Sequence, residues 1–114
     1  MNPPEERIAR IESLFRDVNE RIAESALRFS LNEVEFVCEC ADQQCTDRVA
    51  ATLQEYELAR SEGNRFLLRP GHEDERIERV VARLGSRLAI VEKIGRVVAR
   101  TARRLDPRTE PASG

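Results

Sequence analysis

Three cysteines and one histidine carry most of the chemistry this sequence offers. Cys38, Cys40 and Cys45 stand in a C-x-C-x4-C spacing, and 26 residues separate Cys45 from His72, the one histidine in the chain. Thiolate sulfur and imidazole nitrogen suit soft and borderline metals, and a Cys3His set closes a tetrahedral site of the structural-zinc kind. Zn2+ is therefore the expected ion, with Cys38, Cys40, Cys45 and His72 as its ligands. The same thiols would serve an iron–sulfur cluster or thiol redox chemistry, and both readings stay open. Cysteine also fills cores without reacting, and Cys38 follows Val34 and Phe36 in one alternation. His72, directly after Pro70-Gly71, is equally placed to begin the next element without binding anything. An odd cysteine count argues against a disulfide framework.

Other chemistry is poorly represented. The chain has no Gly-rich phosphate loop, no His-Glu-x-x-His and no G-x-S-x-G. Glu73, Asp74 and Glu75 follow the histidine, but acids are common at helix starts because they complement the helix dipole. No catalytic residue is assigned, and an enzyme is not expected.

The elements that must position the four ligands follow from periodicity. Ile8, Ile11, Phe15, Val18 and Ile22 step by three and four, which predicts an amphipathic helix over 4–27. Positions 8, 15, 22 and 29 form one heptad series, and 11, 18 and 25 the other. Asn2 is its expected cap and Pro3 its first residue. This stripe would either lie on the chain's own sheet or join two copies as a short coiled coil, so a homodimer through this helix is one expected assembly. From Val34 the period becomes two, with Phe36, Cys38 and Cys40 on one side of a predicted strand. A turn at 41–44 and a return strand over 47–51 would complete a hairpin and bring Cys45 back toward the other thiols.

Thr52 and Glu55 form a capping box opening a helix at 53–60. Phe66 to Arg69 reads as a strand stopped by Pro70, and Pro70-Gly71 as a turn presenting His72. Ile77, Val80, Val81 and Leu84 fall at helical spacing and predict a helix over 74–84, closed by Gly85. Leu88 to Val91 predicts a central strand buried on both faces. A final helix is predicted over 96–105, and the segment from Pro107 to Gly114 reads as a disordered tail. The expected fold is α+β, with about four short strands, packed helices and a long N-terminal amphipathic helix. The expected organisation is an N-terminal helix (1–30), an α+β core with the metal site (31–95), and a basic C-terminal helix with its tail (96–114).

Length, composition and charge bound the function. The chain has 114 residues, 40% of them hydrophobic and 35% charged, which suits one small domain with a modest core. Apolar runs reach only four residues, such as Leu88 to Val91, too short for a membrane-spanning helix. No secretory signal is visible at the start, so a cytoplasmic location is expected. The net charge of −2 hides an asymmetry. Residues 1–75 hold 9 Arg against 17 Asp and Glu, whereas 76–114 hold 10 Lys and Arg against 4 acids. Arg96, Arg100, Arg103 and Arg104, with Arg108 beyond, form a basic cluster that could meet phosphates. A solvated helix face explains them as well, and the acidic remainder leaves weak or no nucleic-acid binding as the expectation.

The stretch Glu35-Phe36-Val37-Cys38-Glu39-Cys40, with Cys45-Thr46, resembles a family of small uncharacterised bacterial proteins common in GC-rich genomes. The likeness continues through Thr52-Leu53, Glu55-Tyr56-Glu57, Phe66, Pro70-Gly71-His72-Glu73 and Val91-Glu92-Lys93. It also takes in Leu14 to Ile22, and so covers about residues 10–95. It brings no activity with it. The expectation is thus a non-enzymatic metal-binding domain acting through an unknown protein partner. The alternatives are a redox or iron–sulfur protein and a nucleic-acid-binding regulator.

Overall fold

The computed structural model describes residues 4–40, 42 and 44–108, with side chains in the first helix from Arg7 onward. Helix α1 spans Pro4–Arg28, β1 Glu33–Val37, β2 Arg48–Thr52, α2 Leu53–Ala59, β3 Arg65–Leu68, β4 Glu78–Leu84, β5 Leu88–Lys93 and α3 Arg96–Arg104. The architecture is α+β, with two small antiparallel sheets. One is the β1–β2 hairpin, and the other has the order β3–β5–β4. No described helix is long and apolar enough to cross a membrane.

Local signals explain most of the elements. Thr52 caps α2 as its sequence requires. Glu55 N donates to Thr52 Oγ1 at 3.0 Å, and Thr52 N donates to Glu55 Oε1 at 2.8 Å. Strand β5 is central, as its unbroken apolar run implies, and Leu88 to Val91 are all buried. Phe36 of β1 stacks on Tyr56 of α2 with ring centroids 4.5 Å apart, joining the hairpin sheet to the first helix after it.

The helix predicted over 74–84 is instead strand β4, giving five strands rather than four among the described residues. Ile77, Val80, Val81 and Leu84 satisfy a helical period, but 79, 81 and 83 are also the exposed positions of a period-two pattern. The buried centre of β5 needs partners along both edges, and β4 supplies the second one. Val80 and Val81 are β-branched and suit the strand. Gly85, with φ +61°, opens the three-residue connection to β5 and does not close a helix.

Helix α1 confirms the long N-terminal helix but docks by a face the apolar stripe did not mark. Its buried residues are Ala9, Glu12, Ser13, Arg16, Asn19, Ala23 and Ala26, whereas Leu14 and Val18 are exposed. The docked face lies about a quarter turn round the helix from the stripe. Beside the three alanines, its contacts are polar. Arg16 donates to the carbonyls of Gly63 and Ala102, both at 2.7 Å, with its guanidinium over the Phe66 ring. Asn19 brackets the end of β1: its Nδ2 donates to Val37 O at 2.9 Å and its Oδ1 accepts from Val37 N at 2.8 Å. Lys93 meets Glu12 of α1 and Glu78 of β4, the latter at 2.5 Å. Such groups are tolerable in a core only because each finds a partner.

Candidate metal centre

The cysteine loop begins where β1 ends. Cys38 and Cys40 were expected on that strand, but pairing stops after Val37. Cys38 N still donates to Asp47 O, at 3.2 Å. The chain then crosses to β3: Glu39 N donates to Leu67 O at 2.8 Å, and the Glu39 carboxylate accepts from Leu67 N at 2.9 Å and Asn19 Nδ2 at 2.7 Å. Glu39 is thus drawn inward with both cysteines, and strict alternation fails because all three are buried. A turn from Asp42 returns Cys45, with Cys45 N donating to Asp42 O at 3.0 Å and Gln44 N to Asp42 Oδ1 at 2.9 Å. Residues 41 and 43, within the predicted turn, lie outside the described residues.

His72 arrives from the other sheet. Pro70 and Gly71 form the centre of a turn closed by His72 N donating to Arg69 O at 3.1 Å. Gly71 has φ +94°, the left-handed value required after proline in a type II turn, where a side chain would be strained. This turn holds the imidazole over the cysteine loop.

The four predicted residues converge. The sulfurs of Cys38, Cys40 and Cys45 and a nitrogen of His72 all lie within 4.8 Å of one another. His72 Nδ1 is 3.6 Å from Cys38 Sγ and 3.7 Å from Cys45 Sγ. Metal–sulfur bonds of about 2.3 Å and metal–nitrogen bonds of about 2.0 Å set a tetrahedral S–N edge of about 3.5 Å, so the donors fit a four-coordinate ion. They come from the β1 end, the returning loop and the β3 end, and a bound ion would tie the two sheets together.

The surroundings complete the set. His72 Nε2 is 3.2 Å from Asp47 Oδ2, which orients the ring so that Nδ1 faces the thiols. Arg69 N donates to Cys38 Sγ at 3.3 Å, and backbone amides at Asp42 and Asp47 support the sulfurs of Cys40 and Cys45. Asp47 was not singled out in the sequence; its only signal was its place two residues after Cys45. The hydrogen bond from Cys38, and then the contact with His72, draw the Cys40 thiol down to about 5. That same hydrogen bond and burial push Cys38 up, and burial raises Cys45. One negative charge is readily held among the three sulfurs, and three require a cation. An open depression of about 660 Å³ reaches Cys40 and His72 and is bordered by Asp42, Glu73, Asp74 and Glu75. Its acids favour the approach of positive ions.

The basic C-terminal cluster is divided. Arg96, Arg100, Arg103 and Arg104 are exposed on α3. Arg108 leaves that stripe and folds back between Glu20 and Glu57, at 2.5 and 2.6 Å. The expected disordered tail therefore does not begin at Pro107; residues 109–114 lie outside the described residues. No protein-family model, curated protein or solved structure matches the chain.

Proposed function

We propose that this chain is a small non-enzymatic domain that holds one structural zinc ion through Cys38, Cys40, Cys45 and His72 and acts through contacts with other macromolecules. The observation that carries the reading is the convergence of four ligand atoms within 4.8 Å from three separate stretches of chain. Three sulfurs and one imidazole favour zinc over magnesium or calcium, which take oxygen ligands. With four protein ligands the coordination sphere is closed, which suits a structural role.

Elemental analysis of anaerobically purified protein is the test. The expected result is a colourless protein with one zinc per chain. Zinc bound by such sites contributes about 10–16 kcal/mol of apparent binding free energy at neutral pH, comparable to a small domain's entire stability. Cys40→Ser should therefore lower both zinc content and thermal midpoint. His72→Ala should lower them less, because water or a carboxylate from the acidic border can take its place. A brown protein containing iron and sulfide would replace zinc with a cluster on the same thiols. A metal-free protein that stays fully folded in chelator would remove both.

A further inference from the structure

Helix α1 has two faces with different tasks. The inward face carries Glu12, Arg16 and Asn19 among alanines and packs on α3 and β1 of its own chain. The apolar stripe flanks that face and is half-buried at Ile8, Ile11, Phe15 and Ile22; beside it the surface is open, with Leu14 62%, Val18 45% and Phe29 70% exposed. Together with Ile22, Leu31 and Val34 they line an apolar groove of about 690 Å³ between the helix and the start of β1. Continuous exposed apolar surface of this kind marks an interaction site.

We propose that this groove binds a second copy of the chain, through two α1 helices packed antiparallel about a twofold axis near Val18. Two observations identify the occupant. First, the apolar residues that line the groove from α1, Leu14, Val18 and Ile22, with Phe29 just past its end, recur at steps of four and seven along one side, a spacing that a second helix can follow. Second, the rim is self-complementary. Asp17 and Arg21 both border the groove, one turn apart. A twofold axis between their levels sets Asp17 of each copy against Arg21 of the other, giving two equivalent ion pairs, whereas a parallel pair would align like charges. Val18 also borders the cleft that reaches Cys38 and Cys45, so zinc content is measured beside the oligomeric state, and Leu14→Glu, away from that cleft, separates the two readings.

Sedimentation velocity of the full chain, from low to high micromolar concentration, reads the outcome directly. The expected result is a monomer–dimer equilibrium in the micromolar range. Leu14→Glu and Val18→Glu, both at exposed positions, should give monomers with unchanged helix content by circular dichroism. Asp17→Arg and Arg21→Asp should each weaken the dimer about tenfold, and the double exchange should restore much of the loss, because close charge pairs across an interface couple strongly. A chain that stays monomeric at high micromolar concentration overturns the proposal. So does a dimer indifferent to Val18→Glu, or a double exchange no tighter than the single reversals.

Discussion

At the scale of single residues, the candidate metal centre is arranged by groups outside its four donors. Asp47 holds His72 through Nε2 and leaves Nδ1 facing the sulfurs. Removing such a partner from a metal-binding histidine typically costs 10–100-fold in affinity. Asp47→Ala should therefore weaken metal binding by about that factor while the chain remains folded in excess metal. Competition against a chromophoric chelator measures it, and an affinity equal to the parent's would remove Asp47 from the site. Glu39 acts at a further remove. By accepting from Leu67 N and Asn19 it draws the segment between the first two cysteines inward, so that both thiols are buried.

At the scale of elements, the junction of β2 and α2 shows how a local signal carries a tertiary contact. The capping box closes the helix start, and the Glu55 carboxylate also takes the Arg87 guanidinium at 2.9 Å from the β4–β5 connection. Thr52→Ala should cost about 1 kcal/mol, the usual value for a lost N-cap. Glu55→Ala should cost more, because it removes its half of the box and the tie to Arg87 together. Urea denaturation of the two variants compares them, and equal midpoints would mean that the Arg87 contact contributes nothing. Strand β4 makes the complementary point: its local pattern suits a helix, and its pairing with β5 decides otherwise.

At the scale of the whole molecule, a sealed charge cluster joins α1, β4 and β5. Glu12 and Glu78 share the single ammonium of Lys93, and all three are essentially buried. Burial pushes the Glu12 carboxyl up to about 8, and burial likewise raises Glu39 to about 7. Both values exceed the ordinary 4.5, so the folded chain retains protons that the unfolded chain releases. The stability these groups contribute is fully present below about pH 4.5 and is lost as pH rises through 7 to 8. Glu12→Gln, which cannot ionise, should flatten the decline between pH 5 and 9 relative to the parent. Comparing unfolding midpoints at each pH, with the same metal loading in both proteins, isolates the effect. Parallel profiles would mean that Glu12 is already ionised at the acid end.

The sequence by itself determined the elements whose signals are local. Helix α1, the capped start of α2, the proline-stopped strand β3, the doubly apolar β5 and helix α3 each carry their own boundary or period. The four candidate ligands were legible for the same reason: residue type and close spacing mark three of them, and the lone histidine after Pro70-Gly71 marks the fourth. Only the tertiary structure decided the rest. Residues 77–84 satisfy two periods at once, and the open edge of β5 selects the strand. The apolar stripe of α1 is real, yet Glu12, Arg16 and Asn19 find partners on the sheets, in a loop and on α3, and those partners turn the helix so that Ile8, Ile11, Phe15 and Ile22 are only half-buried and Val18 is exposed. Cys38 and Cys40 leave the expected strand because Glu39 is claimed by Leu67 and Asn19, contacts 28 and 20 residues away in the chain. Local pattern records what a segment prefers, whereas buried polar pairing depends on partners that no single segment contains.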